Sequence, residues 1–275
     1  MRICTKNAIA GMVLALIQTL AIAQISPEVA EALTRKSGTW AQLADFNQHV
    51  KAGMMQSPDL SKLGRLEIER MVQVADDAFS SAKLRDGFVR SLSQKLNDAQ
   101  SKESLRWFDS PTGKLMTALE GASAADTVDT NSMLQDGNEL LNKVSEKRRI
   151  LLTRLVKLTR AAEWLASIQV NIAVGILQGA SAAGPAEAFR PLDELRSALE
   201  SKRPQMVAAM SGVSLSLFAR TYKTVSDKDL ENYLKFLSSK SGTATGIAMI
   251  EALDDTLTNA ARAFGQGIPI PKPAI

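Results

Sequence analysis

The sequence predicts an all-α protein, and three observations support this. Aromatic residues make up only 5% of the 275 residues, whereas alanine, leucine, serine, lysine and methionine are abundant, and this balance favours helices over strands. Leu84, Phe88, Leu92 and Leu96 recur at four-residue steps, and side chains spaced in this way share a face only on a helix. No convincing run alternates apolar and polar residues, so no segment is expected to form a strand.

Residues 1–23 have the features of a secretory signal peptide. Arg2 and Lys6 precede an apolar run, and small residues at the cleavage spacing end at Ala23. The run is shorter than the roughly 20 apolar residues of a membrane span, although an uncleaved anchor is the alternative. We therefore expect an exported, periplasmic protein whose signal peptide is cleaved after Ala23.

Cleavage would change the cysteine and charge counts. Cys4, the single cysteine, would leave with the signal peptide, so the mature chain would have no disulfide, no thiol nucleophile and no thiolate metal site. Without Arg2 and Lys6, the 33 basic residues become 31 against 29 acidic ones, which lowers the net charge from +4 to +2. This near balance, together with export, gives no support to nucleic acid as a partner.

The first half carries helix-start and helix-stop signals in order. Ser26 before Pro27 predicts a capped helix start, because proline fits the first helical position. From Trp40 onward, apolar residues recur at helical intervals until the chain reaches Pro58, before which a helix is expected to stop. Asp98 then marks the start of the helix that leads into the most distinctive phrase of the sequence.

That phrase, WFDSPTGKL at residues 107–115, predicts a corner between two helices. Ser110 can cap the second helix, Pro111 fits its first position, and Gly113 would allow close approach of the backbone. We expect the aromatic ring of Trp107 to face the core.

A similar phrase, FLSSKSGTA at residues 236–244, follows at an offset of 129. The matching pairs are Trp107 with Phe236, Ser110 with Ser239, and Gly113 with Gly242. Upstream, residues 33–56 align with residues 155–178 at an offset of 122, and the difference of seven residues is about two helical turns. Chance similarity between alanine- and leucine-rich helices is the alternative, but the shared glycines favour an internal duplication, with repeats at residues 24–121 and 141–265.

The remaining segments also have distinct compositions. Residues 122–140 are small, polar and turn-rich, which predicts a connector, and the prolines of residues 266–275 predict a disordered tail. Residues 164–186 carry no charge, and their length alone would suit a membrane span. Their polar residues and glycines favour a buried central helix instead, and Gly175 and Gly179 would let a neighbouring helix approach closely.

The corner phrase resembles the hallmark of a bacterial family called domain of unknown function 2059. Its members are exported helical proteins that typically carry a Phe-Tyr-x-Ser-Pro-x-Gly phrase after a Glu-Leu pair. In this chain the match is residues 107–115 and, with Lys240 in place of the proline, residues 236–244. The resemblance would cover residues 24–121 and 145–264 and implies a helical fold and export. It implies no catalytic residue, because the family has no established activity.

A basic amphipathic helix is predicted near residue 150. Its basic residues are Lys147, Arg149, Arg154, Lys157 and Arg160. Leu151 and Leu155 lie on the opposite side, so the helix can dock on anionic lipid or an acidic partner, or it can pack on the core with a solvated outer face. Arg148 falls near the apolar side, and we expect it to need a buried acidic partner or to reach the edge.

Few residues suggest catalysis or metal binding. His49 is the only histidine and Cys4 the only cysteine, so the usual zinc sites and a Cys–His pair are excluded. No Gly-x-x-x-x-Gly-Lys-Ser/Thr loop and no Gly-x-Ser-x-Gly turn occurs. Adjacent carboxylates such as Asp76 and Asp77 point about 100° apart on a helix, which favours solvated surface. We therefore expect no catalytic residue, no metal and no cofactor.

These observations favour a non-catalytic protein that binds a protein, peptide or apolar ligand in a groove between its halves. The first alternative is an envelope-associated protein that docks on anionic lipid or an acidic partner through the basic helix. The second alternative is a hydrolase that uses carboxylates or serine, and it would need a deep polar cleft with converging acidic side chains.

Overall fold

The computed structural model describes residues 24–56, 63–126, 129–184 and 191–268, and its regular structure there is helical. The helices are α1 (Pro27–Lys36), α2 (Thr39–Met55), α3 (Arg65–Ala78), α4 (Ser81–Ser93), α5 (Asp98–Asp109), α6 (Pro111–Ala124), α7 (Thr130–Lys143), α8 (Glu146–Thr159), α9 (Ala161–Ala183), α10 (Leu192–Thr221), α11 (Asp227–Leu237) and α12 (Lys240–Gly267). No β-strand occurs among the described residues, so the all-α prediction is confirmed. The predicted signal peptide, residues 1–23, lies outside them.

Side-chain caps explain where several helices begin. Ser26 Oγ accepts a hydrogen bond from the amide three residues later, and Pro27 is the first residue of α1. Asn97, rather than Asp98, caps α5: its Oδ1 accepts from the Gln100 amide, and the Asn97 amide donates to the Gln100 side chain. Such caps satisfy amides that have no partner inside the first turn of a helix.

The hydrophobic core consists of two clusters, and each contains helices from both predicted repeats. The larger cluster joins α1, α2, α3 and α4 to α9 and α12. The smaller cluster joins α6 to α7, α8, α10 and α11. The last helix of each repeat therefore packs into the other repeat: α12 contacts α3, α4 and α5, whereas α6 contacts α10 and α11. Separating the repeats would expose apolar surface of both clusters to water.

Helix boundaries recur at the two offsets found in the sequence. A shift of 122 places α2 over residues 161–177, which lie within α9, and a shift of 129 places α5 over residues 227–238, which cover α11. The second shift also places Pro111, the start of α6, on Lys240, the start of α12. One difference is that α3 and α4 are separate, whereas α10 is a single helix with Pro204 inside it. Common descent of the two repeats stays a prediction.

The predicted connector, residues 122–140, is mostly helical, so the expectation of a turn-rich linker is wrong. Helix α6 extends into its start, and α7 occupies its second half. Asp129 caps α7, and Gly137 lies so close to α10 that an added Cβ would be 2.1 Å from the carbonyl oxygen of Ser216. Packing against α10 overrides the weak turn preference of these small residues.

The first two residues of the predicted tail, residues 266–275, are helical and not disordered. Helix α12 continues to Gly267, and Gly265 inside this last turn packs against the carbonyl oxygen of Ile176 on α9. This contact holds the end of α12 in the core. Residues 269–275 lie outside the described part of the chain.

The uncharged stretch of the sequence forms α9, which packs along α12. An added Cβ at Gly179 would lie 2.0 Å from the carbonyl oxygen of Arg262, so the predicted close approach of a neighbouring helix is confirmed. Within the described residues, Glu146–Ala183 is the one stretch long and apolar enough to cross a membrane by length and composition. A core helix of a soluble protein meets the same criterion, and Ala166, Val170 and other α9 residues are buried.

Candidate ligand-binding site

The two sequence phrases form two corners of the same local geometry. Ser110 Oγ accepts a hydrogen bond from the Gly113 amide at 3.0 Å, and Ser239 Oγ accepts one from the Gly242 amide at 3.0 Å. An added Cβ would lie 2.1 Å from the carbonyl oxygen of Trp107 at the first corner. At the second corner it would lie 2.0 Å from the corresponding oxygen of the aromatic residue. Both corners therefore require glycine, because the helices approach through the backbone.

The aromatic residues of the two corners stack on each other. The ring centroids of Trp107 and Phe236 are 4.1 Å apart with an interplanar angle of 8°, and Tyr233 stacks on Trp107 at 5.2 Å. Trp107 is half-buried and Phe236 is buried. The stack brings the two corners together, and three of the seven motif residues, Trp107, Phe236 and Gly242, line a cavity.

A carboxylate beside this stack was missed by the sequence reasoning. Glu120 on α6 accepts two hydrogen bonds on its Oε1, from the Tyr222 hydroxyl at 2.6 Å and from the Tyr233 hydroxyl at 3.0 Å. These are the only two tyrosines of the chain. The available signal was an acidic residue four positions after the apolar Met116, which places it on the buried face of α6.

Burial changes the ionisation of all three groups. Desolvation raises the pKa of Glu120 above 4.5, although the hydrogen bonds from the two tyrosines oppose that rise. Desolvation and the nearby charge of Glu120 raise the pKa values of Tyr222 and Tyr233 well above 10. Both tyrosines therefore stay neutral donors at physiological pH.

Two adjacent cavities lie between the predicted repeats. The first, which we call the aromatic cavity, has a volume of about 270 Å³ and is lined by Trp107, Glu120, Tyr233 and Phe236, with the start of α2, the α8–α9 junction and α12. The second, the apolar cavity, has a volume of about 370 Å³, is lined by α2, α6, α9 and α12, and is partly open to solvent. Its apolar lining includes Leu43, Phe46, Trp164, Ile168, Ile172, Leu253 and Leu257. Both cavities include Thr39 and Gln42 in their walls, so they adjoin at α2.

The predicted basic residues divide into paired and unpaired groups. Lys147 forms an ion pair with Glu231 at 2.9 Å, and Arg149 donates to the backbone carbonyl of Leu141. The other three, Arg154, Lys157 and Arg160, are exposed, and no side chain within the described ranges pairs with them.

Arg148 has an acidic partner, Asp227, but this partner is half-buried at the edge of the helix pair. The Arg148 side chain is only 12% exposed, and its Nη1 lies 2.8 Å from the Asp227 carboxylate. It also donates to the backbone carbonyls of Tyr222 and Val225. This residue therefore fixes α8 against the start of α11 and is not part of the free basic surface.

A third, polar cleft of about 810 Å³ contains the single histidine. His49 lines it together with Asp45, Asp126, Asp129 and Ser123. Asp126 forms an ion pair with Arg220, and Thr221 donates to Ser123. Across the described residues, no hydrogen bond joins His49 to a serine or a carboxylate, and no group of three His, Cys, Asp or Glu side chains could hold a metal ion.

Comparisons with protein-family models, with curated proteins and with solved structures found no match to this chain. The resemblance of the corner phrases to an exported helical family therefore stays a prediction.

Proposed function

We propose that this protein is exported and that it binds a small apolar or amphiphilic ligand between its two repeats without catalysing a reaction. The observation that carries the proposal is the apolar cavity, which takes walls from α2 and α6 of one repeat and from α9 and α12 of the other. The signal-peptide pattern at residues 1–23 and the family resemblance support export.

The apolar cavity has the size and lining of a ligand site. Small-molecule pockets in proteins are concave and mostly apolar, with volumes of roughly 300–1,000 Å³, and this cavity holds about 370 Å³. Protein interiors are otherwise packed to about the density of organic crystals, and an empty apolar volume costs stability. An apolar cavity of this size against the larger cluster, partly open to solvent, is therefore best explained by an occupant.

A glycine in the wall allows the cavity to be filled without disturbing the backbone. Gly121 on α6 lines the apolar cavity, and an added Cβ there would meet no described atom within 4 Å. Gly53 on α2 is similarly open but does not line the cavity. Gly121→Leu therefore places a side chain in the ligand volume, and Gly53→Leu is its matched control.

The test uses N-phenyl-1-naphthylamine, an uncharged apolar fluorophore, titrated into the folded protein. We expect saturable binding to the wild type and to Gly53→Leu. Gly121→Leu should bind at least about tenfold more weakly, because overpacking a filled site costs about 1–3 kcal/mol. Equal binding by all three proteins, or no saturable binding by the wild type, would contradict the proposal. Melting curves check that each variant is folded.

A second candidate function is docking of α8 on an anionic membrane surface. On the outer face of α8, Ile150 is 51% exposed and Leu158 is 37% exposed, and they alternate with the exposed Arg154 and Lys157. Exposed apolar side chains among basic ones are typical of helices that lie in a lipid interface. This surface would add weak membrane association to the ligand-binding role.

Co-sedimentation with vesicles of anionic phospholipid tests the second candidate. We expect wild-type binding that weakens with salt and is lost in an Arg154→Glu, Lys157→Glu variant. A Lys223→Glu, Lys228→Glu variant makes the same change in charge at exposed lysines near the start of α11 and should bind as the wild type does. If both variants bind equally, net charge and not the α8 surface is responsible, and this candidate is wrong.

A further inference from the structure

The carboxylate of Glu120 offers one oxygen to the aromatic cavity. Both tyrosine hydroxyls bond its Oε1, and no group within the described residues hydrogen-bonds its Oε2. Glu120 itself is part of the cavity lining. Because Oε1 already accepts two hydrogen bonds, Oε2 is the atom that can meet a ligand in the cavity.

A carboxylate in such surroundings needs a partner. Removing a charged group from water is costly unless it is paired or hydrogen-bonded, and two neutral hydroxyl donors supply no opposite charge. Hydrogen bonds that involve an ionised group are stronger than neutral ones. Glu120 is partly buried, and Oε2 is not among the buried atoms without a partner. A cationic donor at Oε2 would supply the missing charge and replace solvent as its hydrogen-bond partner.

Glu120 is the main charged group of the aromatic cavity. Tyr233 from α11 lines the cavity, and Tyr222 at the end of α10 contacts the carboxylate from behind; both are neutral. Helices α2, α5 and α12 contribute no charged side chain to the lining. Arg160 at the α8–α9 junction is the other charged residue, and it is exposed, so solvent and salt screen its charge.

We propose that the aromatic cavity binds the ammonium head group of an amphiphile, with Oε2 of Glu120 as its counter-ion, while the apolar cavity holds the tail. The two cavities share Thr39 and Gln42 in their walls, so a polar end and an apolar end lie side by side. This inference rests on the proposed function, since it assumes that the apolar cavity accepts an alkyl chain.

The test compares three ligands with the same alkyl tail: decylamine, decanol and decanoate, each displacing the apolar fluorophore at neutral pH. We expect the wild type to bind decylamine at least about tenfold more tightly than decanol, because a hydrogen bond to a charged group contributes about 1.5–3 kcal/mol. Decanoate should bind most weakly because its carboxylate meets Glu120. Glu120→Gln should remove the preference of the site for decylamine over decanol.

The outcomes separate this inference from the proposed function. If decanol binds and Gly121→Leu weakens it, but decylamine binds no more tightly than decanol, the head-group site is wrong and the apolar site stands. If decylamine keeps its preference in Glu120→Gln, the counter-ion is another group, and the inference is also overturned. If no ligand displaces the fluorophore, the proposed function itself fails.

A pH titration of the wild type tests the same site without any substitution. Decylamine stays protonated up to about pH 10, as lysine does, so a rise in pH through the raised pKa of Glu120 ionises only the protein partner. Affinity for decylamine should therefore increase as the pH rises above about 4.5, whereas affinity for decanol should not increase. A parallel pH profile for the two ligands would contradict the inference, even if Glu120→Gln failed to fold.

Discussion

The two predicted repeats share their corners but differ in how closely other helices pack against their glycines. At both corners a serine caps a helix. The third residue of that helix is a glycine, and its missing side chain leaves space for a backbone carbonyl. Beyond the second corner, α12 lies against α9 at Gly179 and Gly265, where backbone atoms leave no space for a Cβ. In the first predicted repeat, an added Cβ at Gly121 of α6 or at Gly53 of α2 would meet no described atom within 4 Å.

This difference shows how one local design can give either a sealed interface or a binding site. Glycine is needed in the sealed pair because a neighbouring backbone occupies the position of its side chain. At Gly121 the same residue type leaves a volume that no described atom fills, and the apolar cavity lies there, whereas Gly53 lies on the exposed side of α2. The corner residues fix the helix directions, and the small residues farther along decide whether the gap closes.

Alanine substitution at three glycines gives the largest expected contrast between the repeats. Gly53→Ala should stabilise the fold by about 0.5–1 kcal/mol, because alanine is the better helix former and no neighbour is displaced. Gly179→Ala should destabilise it by about 1–3 kcal/mol, because its Cβ would lie 2.0 Å from a carbonyl oxygen. Gly175 aligns with Gly53, and an added Cβ there would lie 3.0 Å from a backbone carbonyl oxygen. The effect of Gly175→Ala on stability should therefore fall between those of the other two variants.

Urea unfolding of the three variants measures this contrast. The free energies of unfolding should follow the order Gly53→Ala, wild type, Gly175→Ala, Gly179→Ala, from most to least stable. If Gly179→Ala were as stable as Gly53→Ala, the α9–α12 interface would have space for a side chain at Gly179, as α2 has at Gly53. The comparison would then fail.

The fold class and the corners could be predicted because they depend on local signals. Four-residue spacing of apolar side chains defines helices, and Ser110-Pro111 is a helix start that needs no tertiary contact to recognise. The corner glycines were identified for the same reason, since the phrase occurs twice with the same spacing. Helix boundaries at the predicted offsets follow from these signals.

The site could not be predicted because it depends on contacts between distant segments. Glu120 and Tyr222 are 102 positions apart, and nothing in the sequence near either one indicates the other. The connector was misjudged for a related reason: Gly137 looks like a turn residue until α10 is placed beside it. Local preferences were outweighed by packing that only the folded chain supplies.

The two caps should differ slightly, which sharpens the comparison of the corners. Ser110→Ala and Ser239→Ala should each cost about 1 kcal/mol, the typical value for loss of an N-cap. Ser110 also donates a 2.6 Å hydrogen bond to the carbonyl of Trp107, and no such bond joins Ser239 to a described carbonyl. Thermal unfolding should therefore show the larger loss for Ser110→Ala. A larger loss of stability in Ser239→Ala would contradict the expectation that the extra hydrogen bond of Ser110 stabilises the first corner.

A double-mutant cycle tests whether the two corners act together. Trp107→Leu and Phe236→Leu keep apolar volume but remove the stacked rings, and their effects should not add. We expect a coupling of about 0.5–1.5 kcal/mol, the usual contribution of an aromatic pair beyond its buried area. The pair Phe46 and Phe264 provides the control: each contacts Phe79, but no ring contact joins them, so their coupling should be smaller. Equal coupling in both cycles would indicate a general effect of core substitutions.

The smallest expected effect is a difference in how two carboxylates respond to pH. The pKa of Glu120 is raised by burial, so the native state holds this proton more tightly than the unfolded state, and stability falls as the pH rises from 4.5 through the raised pKa. The pKa of Asp76 is lowered by hydrogen bonds from Lys51 and Asn47, so its contribution is present above pH 3.8 and is lost as the pH falls through the lowered pKa.

The free energy of unfolding, measured across pH 3–7, should therefore change in opposite ways in two variants. In Glu120→Gln, the decline of this free energy above pH 4.5 should become flatter. In Asp76→Asn, its rise below pH 4.5 should become flatter. Because Asp76 is exposed to solvent, its effect should also shrink in high salt, whereas that of Glu120 should persist. Slopes of the same sign for the two variants would show that Glu120 is not buried beside the two tyrosines in the folded protein.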